Sequence, residues 1–118
     1  MSAARHHGSC QCGAVAFEVE VDVSRPVACN CSRCRRLGSR LAFAPRDAFR
    51  LLRGEDAQTE YLFNTGKIRH LFCRTCGIES FAYGAMPDGT PMVAINVKCL
   101  DGVEPLDLPV TRHDGRDA

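Results

Sequence analysis

The sequence contains no tryptophan, two tyrosines and six phenylalanines, so aromatic side chains can fill only a small part of any core. Long apolar runs are missing as well. The longest, at 14–17, 41–44 and 92–95, span four residues, against the roughly 20 that cross a bilayer. Neither sign of charge is in excess. Fifteen Lys and Arg stand against fourteen Asp and Glu, leaving +1, which excludes a whole-domain basic field of the kind that holds nucleic acid or anionic lipid. The opening stretch MSAARHHGSC lacks the apolar core of a secretory signal, so a cytoplasmic, thiol-reducing setting is expected. The length of 118 residues, with 45% apolar and 25% charged, points to one globular domain and away from disorder.

Cysteine is what the chain has in quantity. Eight occur, at Cys10-x-Cys12, Cys29-x-Cys31-x-x-Cys34 and Cys73-x-x-Cys76, with Cys99 alone. A disulfide framework spreads single cysteines along the chain, and a bridge inside Cys10-Gln11-Cys12 would close a strained ring. Clustered thiols in a reducing compartment read as metal ligands or catalysts. A redox reading of Cys73-Arg-Thr-Cys76 is the weaker choice, because no helix pattern follows the second cysteine. Thiolates are soft, so zinc is the expected metal. Gly13 and Gly77 follow two of the clusters, where a knuckle turn can use a permissive backbone.

A structural zinc takes four protein ligands, and a catalytic one takes three plus an exchangeable position. Seven clustered cysteines divide naturally in that way. Cys10, Cys12, Cys73 and Cys76 form one closed set, and Cys29, Cys31 and Cys34 remain as an open one. Other pairings are possible, such as Cys10 and Cys12 with two of the triple, but each strands a thiol from the same short segment.

The segments carrying these cysteines, His7-Gly8-Ser9-Cys10-Gln11-Cys12-Gly13-Ala14-Val15, Cys29-Asn30-Cys31-Ser32-Arg33-Cys34-Arg35-Arg36 and Phe72-Cys73-Arg74-Thr75-Cys76-Gly77, resemble the GFA family. This is the family of glutathione-dependent formaldehyde-activating enzymes, whose domain also occurs in centromere protein V. The resemblance covers about residues 7–114, leaving 1–6 and 115–118 as termini. It implies a mainly β single small domain of antiparallel sheets, β-tent-like, organised around two zinc sites. It also implies that Cys10, Cys12, Cys73 and Cys76 hold a structural zinc while Cys29, Cys31 and Cys34 hold a catalytic one. The implied activity is that of a carbon–sulfur lyase, S-hydroxymethylglutathione synthase-like, with a small thiol such as glutathione and a small aldehyde as partners. Two segments depart from the family pattern. Lys98-Cys99 stands where many relatives show Gly-Thr, and the stretch from Leu108 to Gly115 suggests a distinct subgroup. The alternative is a non-catalytic zinc-binding module that takes a thiol or a protein partner. Occupation of the open position by Cys99 would favour it.

Periodicity gives β structure by itself. Val15, Phe17, Val19 and Val21 alternate with Ala14, Ala16, Glu18 and Glu20, the period of a half-buried strand. Further strands are expected at 41–44, 49–52, 60–63, 68–72, 79–83 and 92–97. They are separated by Gly54-Glu55-Asp56, Asn64-Thr65-Gly66-Lys67 and Pro87-Asp88-Gly89-Thr90. Pro45-Arg46-Asp47-Ala48 is expected to form one helical turn, and residues 32–37 a short helix holding Cys31 and Cys34. Arg33, Arg35 and Arg36, with Arg40 nearby, are candidates for gripping the carboxylates of glutathione; a solvated surface turn is the plainer reading. Cys99 reads as a small buried hydrophobe in an apolar strand. His6 and His7 read as exposed near a frayed end, His70 as an outward strand residue, His113 and Asp114 as surface groups, and Asn96 as either a substrate contact or a satisfied core amide.

Overall fold

The computed structural model describes residues 3–62 and 68–115. Its strands are β1 (Ala4–Ser9), β2 (Ala16–Val21), β3 (Val27–Cys29), β4 (Leu41–Pro45), β5 (Phe49–Arg53), β6 (Gln58–Leu62), β7 (Arg69–Cys73), β8 (Phe81–Ala85), β9 (Pro91–Asn96) and β10 (Thr111–His113). One α-helix, α1 (Ser32–Leu37), lies between β3 and β4. Among the described residues the strands form two sheets, one in the order β1-β2-β5 and one in the order β10-β3-β4-β9-β8-β7-β6. All pairings are antiparallel except that of β10 with β3, which is parallel. The fold is mainly β, as the alternation implies.

Burial follows the alternation closely. On β2, Phe17, Val19 and Val21 are buried while Glu20 is exposed. Val93 and Ile95 of β9 and Phe81 of β8 meet them in one core cluster. The few aromatics are concentrated here. Phe81 stands 4.8 Å from Phe49, 5.2 Å from Tyr83 and 5.6 Å from Phe17 between ring centres, in tilted and edge-on arrangements that suit ring quadrupoles. A helical turn forms at Arg46–Ala48 and a helix at Ser32–Leu37, both where the sequence indicates them.

Three strands carry no apolar alternation and do not stand out in the sequence. β1 (ARHHGS) is the edge of the small sheet and is mostly exposed, and β10 (TRH) is exposed throughout. β3 is three half-buried residues. His6 and His7 are therefore not frayed. They pair with Val19 and Glu18, and the His7 Nδ1 lies 3.3 Å from Asp101 Oδ2. The expected turn at Asn64-Thr65-Gly66-Lys67 lies outside the described residues, as does Phe63. Among the described residues no helix is long and apolar enough to cross a membrane.

Candidate functional site

The structure gathers seven of the eight cysteines into two groups. Cys10 and Cys12 come from the turn between β1 and β2. Cys73 ends β7, and Cys76 lies in the turn before β8. Their four Sγ atoms lie within 4.8 Å of one another, with Cys12 at 3.7 Å from Cys10 and 3.6 Å from Cys73. Both turns are knuckles. The Gly77 amide donates to the Cys73 carbonyl at 2.8 Å, and the Gly13 amide to the Cys10 carbonyl at 3.3 Å. Gly77 at φ +82° and Gly13 at φ +83° occupy the left-handed region that an L side chain resists. Backbone amides are aimed at the sulfurs. Val15 donates to Cys10 Sγ, and Thr75 and Cys76 donate to Cys73 Sγ, at 3.4 to 3.5 Å.

The second group is Cys29, Cys31 and Cys34, again with all Sγ atoms within 4.8 Å. Cys29 ends β3, Cys31 caps α1, and Cys34 lies on its first turn. The Cys31 amide donates to Cys29 Sγ at 3.4 Å, and the Cys34 amide to Cys31 Sγ at 3.3 Å. Gly38, left-handed at φ +68°, closes the helix by donating to the Cys34 carbonyl at 3.0 Å. Over this group lies the segment from β10 to Gly115. Asn30 donates its amide to the His113 carbonyl at 3.2 Å, and its side-chain oxygen accepts from the Gly115 amide at 2.7 Å. Gly115 is buried, and a Cβ built on it would stand 2.8 Å from Cys29 Sγ.

All eight cysteines are free thiols, with closest sulfur contacts far beyond the roughly 2.05 Å of a disulfide. A tetrahedron of sulfurs about 2.3 Å from a central ion has edges near 3.8 Å, close to the contacts seen in the four-cysteine group. Soft donors, that spacing and inward-aimed amides mean that both groups could hold a metal ion, and the donor chemistry is consistent with zinc.

Burial pushes the Cys76 thiol up, but the Ile78 and Cys12 amides and neighbouring thiols outweigh it and bring the group down to about 6. Cys12 goes the other way. The Ala14 amide lowers it, yet desolvation and the three other thiols carry it to about 11. In the second group burial acts upward on both Cys34 and Cys31. Cys34 is raised, with the thiols of Cys31 and Cys29 adding to the effect, whereas hydrogen bonds from the Cys34 and Arg33 amides and both thiols leave Cys31 lowered.

The other candidates fall out differently. Arg33 is turned inward. Its Nη2 is 2.6 Å from Glu79 Oε1, and its guanidinium lies 4.6 Å from the Tyr61 ring centre. Arg35 and Arg36 are exposed on α1, with Arg36 Nη1 donating to the Ser32 carbonyl at 2.7 Å. A groove of about 510 Å³ opens beside the helix, lined by Ser32, Arg33, Arg36, Leu37 and Tyr61. His70 is not outward but buried, 6% exposed, with Nδ1 at 2.8 Å from Glu79 Oε2. The alternation of β7 is real, but Glu79 and Arg33 cover what would have been its solvent face. Asn96 is a satisfied amide, donating to the Glu79 carbonyl at 3.2 Å and accepting from the Lys98 amide at 3.2 Å. His113 and Asp114 are exposed. Cys99 is half-buried in a 3₁₀ turn, Val97–Cys99, rather than in a strand. Burial raises its thiol, the Ser80 hydroxyl counters this, and Cys10 and Cys76 raise it further; its sulfur joins neither cysteine group. Sequence reasoning missed Glu79, Lys98 and Gly115. A single acid inside the apolar run after Cys76 was the available signal for the first.

The family model of the glutathione-dependent formaldehyde-activating enzymes, GFA, matches residues 5–112. The chain belongs to this family. A solved neighbour is a Rhodobacter sphaeroides protein from a structural-genomics crystal structure. It is 38% identical, with a TM-score of 0.78 over 89% of this chain and 99% of that one. The GFA match spans both cysteine groups and all ten strands except the first residue of β1 and the last of β10.

Proposed function

We propose that this GFA protein is a zinc-dependent enzyme of the carbon–sulfur lyase type, acting on adducts of a small aldehyde such as formaldehyde with glutathione or a similar thiol. The reading rests above all on the second cysteine group: three sulfurs converge there, with no fourth cysteine, histidine or carboxylate joining them among the described residues. The four-cysteine group, tying the β1–β2 turn to the β7–β8 turn across 61 residues, fits a structural role. When bound, a zinc ion held by three thiolates supplies a position for a substrate thiol and lowers its pKa.

The protein's own residues then orient and enclose the reactants. The groove beside α1 receives the body of the thiol, and Arg36 on its wall, with the exposed Arg35 next to it on the helix, offers forked donors to its carboxylates. Arg33, already engaged by Glu79, contributes through the placement of the helix. Asn30 and Gly115 wall the Cys29 side. In the forward direction the substrate thiol gives up its proton, its sulfur forms a C–S bond to the aldehyde carbon as the C=O π bond opens, and the carbonyl oxygen takes that proton to give the hydroxymethyl adduct. The reverse breaks that bond and returns the proton to sulfur. Proximity is the main source of rate. Cys99 is not among the sulfurs gathered with Cys29, Cys31 and Cys34, which supports the enzyme reading over a closed, non-catalytic module. A reducing, cytoplasmic compartment suits the free thiols.

Zinc stoichiometry and glutathione calorimetry on the native protein and on Cys31→Ser test this reading. Two zinc ions per chain falling to one, together with loss of glutathione binding, is the expected result. Unchanged binding in the variant would overturn it. Turnover is measured against the spontaneous addition of formaldehyde to thiols.

A further inference from the structure

Helix α1 and its N-cap supply two of the three cysteines of the second group, Cys34 and the buried Cys31, yet none of the helix's own six residues is buried. Apolar packing therefore does not dock it. Among the described residues, two polar anchors reach it, from the 3₁₀ turn after β9 and from the turn before β8, and the Tyr61 ring lies against Arg33 as well. Lys98 Nζ donates to the Gly38 carbonyl at its C-terminal end at 2.7 Å, and Arg33 meets Glu79 at 2.6 Å. The second anchor is well shielded, with the side chains 19% and 9% exposed. Such a pair is costly to desolvate and persists only where its geometry is good and its remaining polar atoms are engaged. Glu79 meets that condition, since its second oxygen lies 2.8 Å from His70 Nδ1; Arg33 Nε is buried without a hydrogen-bond partner among the described residues, so that side chain is held by its Nη2 contact and by the Tyr61 ring. Glu79 and His70 also flank the Cys73 and Cys76 knuckle on either side in sequence, each three residues from the nearer cysteine.

We propose that Glu79 is a positioning residue for the three-cysteine site: by holding Arg33 it fixes the Cys31–Cys34 helix against the β7–β8 segment that carries Cys73 and Cys76. The carboxylate thus makes the geometry of one cysteine group depend on the segment that builds the other. This rests on the reading above only in requiring that the three-cysteine group take a metal. Partners that hold a ligand-bearing element in place typically change metal affinity by about 10–100-fold when removed. The loss expected here is about 10-fold, confined to the three-cysteine site.

The test is cobalt(II) titration followed by thiolate-to-metal absorption, with Cys31→Ser giving the reference spectrum of the four-cysteine site alone. In Glu79→Gln, and separately in Arg33→Gln, the four-cysteine signal should be retained while the second site binds cobalt about 10-fold more weakly. The double variant should lose no more than the single variants, because one pair acts as a unit. Arg33→Lys, which keeps the charge and loses the fork, should recover part of the affinity. If Glu79→Gln does not fold, shown by loss of the four-cysteine signal, Arg33→Gln alone decides, since it leaves the Glu79–His70 contact intact. Second-site affinity within twofold of the native protein, or losses that multiply in the double variant, would overturn the proposal. A native protein that takes up one cobalt only would instead defeat the function proposed above.

Discussion

Replacing Gly115 by alanine is a stringent test of how the three-cysteine group is enclosed. The added methyl would sit 2.8 Å from Cys29 Sγ and 3.5 Å from Cys31 Cβ. The first distance is nearly an ångström inside ordinary carbon–sulfur contact, and the side chain it strikes is short and set by the end of β3. Overpacking of this kind costs about 1–3 kcal/mol. Against it stand the bonds that hold the segment: Thr111 to Pro26 at 2.9 Å, Asn30 to His113 at 3.2 Å and Gly115 to Asn30 at 2.7 Å. Each contributes roughly 0.5–1.5 kcal/mol net. Strain and restraint are thus of the same size, and β10 has no buried side chain to add to the restraint. The expected outcome is local release with the domain still folded. Amide exchange at residues 113–115 and at Asn30 should quicken, Cys29 should react faster with a thiol reagent, and the melting temperature should change little. Unaltered exchange and unaltered Cys29 reactivity in Gly115→Ala would refute the enclosure.

Two further outcomes follow from the four-cysteine group. Cys73→Ser should lose one zinc and most of the cooperative melting transition, because a structural zinc contributes about 10–16 kcal/mol where a whole domain nets about 5–15; elemental analysis and circular dichroism read both. Metal uptake at neutral pH should release protons, since the Cys12 thiol, raised to about 11, is still protonated there while Cys76, lowered to about 6, has already ionised. Acidification therefore weakens binding and alkalinity strengthens it, and calorimetry in buffers of different ionisation enthalpy measures the protons released.

Much of this molecule is legible in the order of its residues, for two physical reasons. Strands such as β2, β4 and β9 bury one face and expose the other, which writes a period of two into the sequence. Metal-ligand spacing is as local as a turn, so Cys73-x-x-Cys76-Gly77 shows its knuckle without any knowledge of what lies opposite. The parts that escaped are those that depend on long-range partners. β1 and β10 are edge strands without apolar alternation, held by backbone pairing that leaves no mark on composition. His70 alternates correctly, and only the arrival of Glu79 and Arg33 makes its face an interior one. Cys99 sits in an apolar stretch that continues β9 by pattern, but Asn96 accepts from the Lys98 amide and turns the chain out of the sheet.

The wall over Cys29 closes a contact across 85 residues, and this has a consequence for biosynthesis. Every cysteine of both groups is synthesised before residues 111–115, by an interval on the order of seconds at ordinary elongation rates. All seven grouped cysteines therefore precede in synthesis the segment that covers Cys29. The wall over Cys29 is thus the last part of either cysteine group to be made.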